Sequence, residues 1–186
     1  AAGGPILGIC GGYQLLGRRI DDDVESGAGV VDGLGLLPVE TVFRPDKVRA
    51  RPTGVSPLLG GVAAGGYEIR HGRVTVHGGA PLLRTDTGED EGCVAGAVLG
   101  TSWHGVLEHD DLRRALLVWV AERRGLAFTP GPVTYRQVRE RHLDRLGDLV
   151  ADHLDTATLS RLVADGAPAS LPTVPPAGAP TPEAIP

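Results

Sequence analysis

Methionine is absent from all 186 residues, position 1 included. Because a full-length gene product begins with Met, we interpret the chain as a fragment or a processed protein. Cysteine occurs only at Cys10 and Cys93, and two thiols do not build a disulfide framework. The sequence also contains no apolar run long enough to span a bilayer and no recognisable signal peptide. These absences predict a cytoplasmic protein with no membrane partner.

Basic side chains are fewer than acidic ones. The chain carries 18 Lys and Arg against 23 Asp and Glu, which gives a net charge of −5. A nucleic acid or an anionic membrane surface attracts positive charge, so neither is predicted as the main partner. The hydrophobic fraction of 41% over 186 residues is sufficient for one domain with a core.

Short strands and helices are predicted before residue 130 from apolar periodicity and glycine-rich breaks. The predicted elements are, in chain order, a buried strand over 5–9, a short helix over 12–17 with Leu15 and Leu16 facing inward, a loop over 21–35, a strand over 34–43, a polar loop or exposed edge over 44–54, strands over 67–79 and 92–105, and an amphipathic helix over 111–125.

The character of the sequence changes after residue 130. Residues 134–164 carry dense charge with leucines and valines at helical spacing, which predicts one or two helices. Residues 166–186 are rich in Pro and Ala with almost no charge, and we expect them to be disordered. We therefore divide the chain into a first domain over 1–130, a charged helical extension over 131–165 and a tail over 166–186.

A cysteine between glycines follows the first predicted strand. Gly8, Cys10 and Gly12 have the spacing of a nucleophile on a sharp turn between a strand and a helix, where neighbouring side chains would collide. The helix N-terminus would stabilise a thiolate, and the Gly11 N–H could face an oxyanion. The alternative interpretation is a buried structural cysteine in a glycine-rich turn.

A nucleophilic thiol needs a base, and the sequence offers six histidines. His104 follows the apolar segment CVAGAVLG and precedes the predicted helix over 111–125, the place where open α/β sheets carry functional groups. His142 and His153 fall in the charged C-terminal helices and are interpreted as surface residues. A structural role is the alternative for a lone histidine, but a pair of Cys10 and His104 would support acyl transfer through a thioester.

Four segments in this order resemble a known family: GICGGYQLLG, VDGLGLLPVETVF, GGYEIRHGRV and GTSWHGVLEHDDLRRALL. Together they are similar to the glutamine amidotransferase domain of the cobyric acid synthase family, over about residues 4–125. The resemblance implies an α/β, flavodoxin-like class I glutamine amidotransferase fold. It also implies that the first strands of that domain are missing from the chain and that the C-terminal helices are an extension.

The same resemblance implies an activity. Cys10 would be the nucleophile and His104 the general base in the hydrolysis of glutamine, with the elbow formed by Gly8, Gly11 and Gly12. The ammonia would amidate adenosylcobyrinic acid a,c-diamide in an N-terminal synthetase domain that uses ATP and Mg²⁺. That domain is absent from the chain, and we expect no cofactor and no metal in the chain itself.

One departure from the family pattern concerns the third member of the triad. Many class I amidotransferases carry Glu two residues after the histidine, but this sequence has Val106 there. Glu68 and Glu108 are candidates to orient His104, and solvated surface carboxylates are the alternative interpretation of both.

Other functions remain open. The resemblance also admits the amidotransferase of cobyrinic acid a,c-diamide synthase, or that of a MurT-type peptidoglycan-amidating ligase. A non-catalytic module that retains the fold is a hypothesis of a different class. Because the strand before Cys10 would lack partners, we expect the isolated chain to fold poorly.

Overall fold

The computed structural model describes residues 3–171. Within them, the strands are β1 (Ile6–Ile9), β2 (Arg19–Asp22), β3 (Gly29–Asp32), β4 (Val39–Ala50), β5 (Thr53–Ser56), β6 (Val62–Gly65), β7 (Glu68–Val76), β8 (Leu83–Thr85), β9 (Asp90–Glu91), β10 (Cys93–Ala95) and β11 (Val98–Thr101). The α-helices are α1 (Gly11–Leu16), α2 (Asp110–Arg123), α3 (Tyr135–His153) and α4 (Thr156–Asp165). Short 3-10 turns span Pro57–Leu59 and Val106–Glu108.

The described strands form three sheets. The first has the order β1-β11-β10, the second β3-β2-β4-β7, and the third β6-β5-β8-β9. In the first sheet β1 runs parallel to β11, with Ile9 opposite Thr101, and β10 runs antiparallel to β11. Because parallel strands end at the same edge of a sheet, the turns that follow β1 and β11 are neighbours.

Apolar side chains bury both faces of the first sheet. Cys93 and Val94 are successive residues of β10, so their side chains point to opposite faces. Each belongs to a different buried cluster. One cluster comprises Ala64, Leu82, Leu83, Val94, Leu99, Trp103, Val106 and Leu112. The other comprises Tyr13, Leu16, Leu37, Val39 and Cys93.

The predicted helices are confirmed. α1 and α2 fall where the short helix and the amphipathic helix were expected, and Leu112 of α2 lies in the first buried cluster with Leu116 and Trp119 packed against it. Leu16 is buried as expected, but the inward orientation of Leu15 was wrong, since its side chain is 55% exposed. The charged region forms the two helices α3 and α4.

The predicted loop over 21–35 was wrong, because β2 and β3 pair there as an antiparallel hairpin. The Asp22 carboxylate accepts hydrogen bonds of 2.8 to 3.0 Å from the backbone N–H groups of Val24, Glu25 and Ser26, which closes the turn between the strands. A polar, glycine-rich sequence therefore forms a strand pair here, and the Asp22 carboxylate stabilises the turn between the strands.

Two further strand predictions can be compared with the structure. The polar stretch over 44–54, predicted as a loop or an exposed edge, begins as a mostly exposed strand, because β4 continues through it to Ala50, opposite Glu68 of β7. The single strand predicted over 92–105 is the hairpin of β10 and β11, which turns at Gly96 with a φ of 62°. That left-handed conformation favours glycine.

The chain divides into two compact units, Ala1–Gln137 and Val138–Pro186. The predicted segments over 1–130, 131–165 and 166–186 stay a prediction, and residues 172–186 of the tail lie outside the described residues. Among residues 3–171, no helix combines the length and apolarity needed to cross a membrane.

Candidate active site

Cys10 occupies a strained turn between β1 and α1. Its φ of 51° and ψ of −113° make it the one non-glycine residue in the described part of the chain with a positive φ. Such a conformation is unfavourable for a residue with a Cβ and persists only where the surroundings impose it. The Cys10 carbonyl accepts the Gln14 N–H at 3.1 Å, so α1 starts directly from the cysteine. This is the strand–turn–helix setting of a nucleophile elbow.

The glycines around Cys10 differ in what they provide. A Cβ at Gly8 would lie 2.6 Å from Leu16 Cδ1 and 2.8 Å from the Gly12 carbonyl carbon, so only glycine fits there. A Cβ at Gly11 or Gly12 would meet nothing within 4 Å. The steric reason that the sequence suggested for Gly12 was therefore wrong. Gly11 is the first residue of α1, and its N–H has no acceptor within the helix.

His104 lies in the turn that follows the neighbouring strand. The Cys10 N–H donates to the Thr101 carbonyl at 2.9 Å, and Thr101 is the last residue of β11. The structure therefore brings the two predicted site residues to adjacent turns at one edge of the first sheet. Both side chains are partly exposed, and in residues 3–171 neither makes a hydrogen bond through its side chain.

Tyr67 is the residue that contacts the His104 ring. The two rings stack with centroids 5.1 Å apart and planes 14° apart. Their backbones also pair, with the His104 N–H donating to the Tyr67 carbonyl at 2.8 Å and the Tyr67 N–H donating to the His104 carbonyl at 3.0 Å. The segment GGYEIR carried part of the family resemblance, but nothing in it pointed to His104 as the partner of the tyrosine.

The candidate carboxylates do not reach His104 by a hydrogen bond. Val106 is only 2% exposed and belongs to the core. Glu68 is buried, and its carboxylate accepts a hydrogen bond from Arg70 Nε at 2.9 Å. Glu108 is exposed, and its Oε1 lies 3.6 Å from the position that a Cβ on Gly105 would take, so it flanks the His104 turn.

Glu91 holds the end of β11, a contact that the sequence did not indicate. Its Oε2 accepts a hydrogen bond from Thr101 Oγ1 and its Oε1 accepts one from the Ser102 N–H, both at 2.6 Å. Thr101 Oγ1 in turn accepts the Trp103 N–H at 3.1 Å. Burial raises the pKa of the Glu91 carboxyl, although these hydrogen bonds act in the opposite direction. The carboxylate thus fixes the two residues that precede Trp103 and His104.

Cys93 has a different environment from Cys10. It is 0% exposed, its thiol donates to the Gly78 carbonyl at 3.4 Å, and burial raises its pKa. A raised pKa lowers the thiolate fraction, so Cys93 behaves as a small buried hydrophobic residue. Within the described residues, no group of three or more histidine, cysteine and carboxylate side chains is placed to hold a metal ion.

A cavity of about 540 Å³ opens beside the His104 turn. It is lined by Arg49, Ala50, Arg51, Tyr67, Glu68 and Ile69. Its volume is in the range of small-molecule sites, and Tyr67 is the wall residue that touches His104.

The class of protein follows from a match between this chain and a known family. Residues 1–112 match the family described as "CobB/CobQ-like glutamine amidotransferase domain". The chain belongs to this family, which confirms the predicted α/β amidotransferase fold class. The match includes both the Cys10 turn and the His104 turn.

Individual relatives carry a more specific name. The cobyric acid synthase of Frankia casuarinae is 56% identical over 179 residues, which cover 95% of this chain and 33% of that protein. The cobyric acid synthase of Streptomyces avermitilis is 51% identical over 181 residues, covering 97% of this chain and 34% of that protein. The chain thus spans about a third of the length of these relatives. A solved structure described as "Crystal structure of glutamine amidotransferase" is 20% identical with a TM-score of 0.42, covering 66% of this chain and 61% of that one.

Proposed function

We propose that the chain is the glutaminase part of a cobyric acid synthase. The observation that carries the proposal is the placement of Cys10 on a strained turn that is hydrogen-bonded to the end of the strand leading to His104. Family membership supports glutamine as the substrate. Relatives named cobyric acid synthase, at 56% and 51% identity, support the choice among the members of the family.

The proposed reaction begins with the Cys10 thiolate. His104 takes the thiol proton, and the sulfur attacks the side-chain carboxamide carbon of glutamine. The carbonyl oxygen becomes an oxyanion, and the Gly11 N–H, which has no acceptor in its helix, donates to it. His104 then returns the proton to the departing nitrogen, so ammonia leaves and a glutamyl thioester remains on Cys10.

Water completes the cycle. His104 takes a proton from a water molecule, whose oxygen attacks the thioester carbon. The carbon–sulfur bond breaks, glutamate leaves, and the proton returns to the Cys10 sulfur. One glutamine and one water thus yield glutamate and ammonia, with the residues regenerated.

The ammonia is proposed to amidate a carboxylate of adenosylcobyrinic acid a,c-diamide that ATP and Mg²⁺ have activated. The relatives have about two thirds of their length outside the matched region, and the proposal places that step there. No residue of this chain is assigned to ATP or Mg²⁺. A cytoplasmic location, no nucleic acid and no membrane as partners stay predictions.

Replacement of the nucleophile tests the proposal. In the full-length gene product that carries this chain, Cys10→Ala is expected to lower glutamine-dependent amidation about 1000-fold or more. Amidation driven by free ammonia should persist, because the thiol acts only in releasing ammonia. Cys93→Ala is the matched control and should keep glutamine-dependent turnover, since Cys93 is buried away from solvent.

Each result decides between the functions that the sequence left open. Glutamine-dependent turnover in Cys10→Ala would contradict the role of Cys10. A wild-type protein without glutaminase activity would favour the non-catalytic module. The protein could instead amidate cobyrinic acid or a peptidoglycan precursor and leave adenosylcobyrinic acid a,c-diamide unchanged. That result would assign the chain to another enzyme of the amidotransferase class.

A further inference from the structure

Among residues 3–171, no carboxylate is hydrogen-bonded to the His104 ring to fix its orientation. Val106, at the position where many class I amidotransferases carry Glu, lies in the core. Glu68 forms an ion pair with Arg70, and Glu108 makes no side-chain hydrogen bond in residues 3–171. A catalytic base must nevertheless hold its ring within a narrow range of orientations to meet both the thiol and the leaving nitrogen.

Tyr67 meets this need by geometry. Its ring lies on the His104 ring, and the two backbone hydrogen bonds between these residues fix the spacing of their Cα atoms. Gly66 permits the close approach, because a Cβ there would lie 2.6 Å from the His104 carbonyl oxygen.

Core packing does not account for the tyrosine. Its side chain is 43% exposed, and it belongs to neither of the buried clusters. It stacks on the His104 ring and also lines the cavity beside the turn. A large aromatic residue that stays half exposed while covering a histidine ring contributes more to the histidine than to the core.

We propose that Tyr67 is the positioning residue of His104. This inference rests on the proposed glutaminase function. The stacked ring fixes the plane of the imidazole but leaves both ring nitrogens at its edge, free to exchange protons. A carboxylate would instead hold one nitrogen in a hydrogen bond and so fix the tautomer. The base of this protein is thus oriented by an aromatic face.

The experiment compares two substitutions of Tyr67 in the full-length gene product. Tyr67→Leu removes the aromatic face, and kcat for glutamine hydrolysis is expected to fall about 10- to 100-fold with KM changed less than about threefold. Tyr67→Phe keeps the face and should retain kcat within about twofold, because the stack does not use the hydroxyl. Val76→Ala is the control, since Val76 is a similarly exposed residue on β7 at 46%.

A spectroscopic measurement separates the stack from general damage. With ¹³C-labelled histidine, the ring C–H signals of His104, assigned with a His104→Gln variant, should be shifted upfield by the ring current of Tyr67. The shift should persist in Tyr67→Phe and vanish in Tyr67→Leu. The wild-type spectrum alone tests the contact, so the proposal stays testable if Tyr67→Leu does not fold.

Three results would overturn the inference. They are an unshifted His104 signal in the wild type, kcat of a folded Tyr67→Leu within about twofold of wild type, or equal losses in Tyr67→Phe and Tyr67→Leu. The last would assign the effect to the hydroxyl. These outcomes differ from failure of the proposed function, which would appear as a wild-type protein without glutaminase activity.

Discussion

The turns after β1 and β11 lie side by side but are held by different means. The Cys10 turn is imposed by close packing, with a positive φ at the cysteine and no space for a side chain at Gly8. The His104 turn is held by residues from elsewhere in the chain. Glu91 accepts a hydrogen bond from the Ser102 N–H, and Tyr67 stacks on the His104 ring. The comparison shows that neighbouring turns can be held by different interactions, the nucleophile's turn by steric exclusion and the base's turn by hydrogen bonds and ring stacking.

The largest effect is expected from a methyl group at Gly8. Gly8→Ala should lower the free energy of unfolding by about 3 kcal/mol, because the new Cβ would meet the Gly12 backbone as well as a side chain. Glutamine hydrolysis should fall about 100-fold as the turn shifts. Urea unfolding followed by the fluorescence of the buried Trp103 measures the first effect.

The matched control is Gly12→Ala. Its Cβ would enter open space, and Ala favours the helix over Gly, so stability should rise by about 0.5 kcal/mol. Equal losses from the two variants would mean that the turn is not held by the contact at Gly8.

A smaller effect is expected on the side of β11. Glu91→Gln keeps the size of the side chain and removes its ionisation, and should change the free energy of unfolding by only about 1 kcal/mol at low pH, where the wild-type carboxyl is protonated. Because burial raises the Glu91 pKa above its ordinary value of 4.5, ionisation disfavours the folded wild type. The stability supplied by the protonated carboxyl is therefore complete below the unfolded pKa and decreases as the pH rises toward the folded one.

The stability of the wild type relative to Glu91→Gln should thus be highest below pH 4.5 and fall as the pH rises above it. Urea unfolding at several pH values measures it. A wild type that gained stability relative to Glu91→Gln as the pH rose would show that the folded protein favours the ionised carboxylate.

The smallest effect is expected from Tyr13→Phe in α1. The Tyr13 ring packs against Gly100 of β11, where a Cβ would lie 1.9 Å from Tyr13 Cδ2. Its buried hydroxyl has no hydrogen-bond partner in the described residues. Removing an unsatisfied hydroxyl should change stability by less than about 0.5 kcal/mol or increase it slightly. A clear loss in thermal melting would indicate a partner for that hydroxyl.

Local sequence was sufficient to predict the Cys10 turn, but it was insufficient to predict the contacts that hold the His104 turn. The apolar strand, the glycines and the helix are consecutive in GICGGYQLLG, so the elbow could be predicted as one pattern. Tyr67 and Glu91 are distant from His104 along the chain and reach it only through the pairing of strands. Glu68 and Glu108 were predicted on the assumption that a carboxylate orients His104. No sequence motif relates a tyrosine to a histidine on which its ring stacks.

Strands were less predictable than helices for a similar reason. The helices of the charged region show their periodicity in sequence. In α2, Leu112, Leu116 and Trp119 recur at helical spacing, and they lie in or against the first buried cluster. The β2–β3 hairpin and the far end of β4 consist of polar residues whose backbone groups are satisfied by a neighbouring strand. Such pairing depends on the partner rather than on the residue itself, so composition indicated a loop at the first place and a loop or an exposed edge at the second.

Thr101 gives the two turns a common reference. Its carbonyl accepts the Cys10 N–H, while its hydroxyl donates to Glu91 and accepts the Trp103 N–H just before His104. We therefore expect a displacement of β11 to move the Cys10 sulfur and the His104 imidazole in the same direction. Thermal motion of the strand should then change the distance between the two groups less than it would if each were anchored to a different strand.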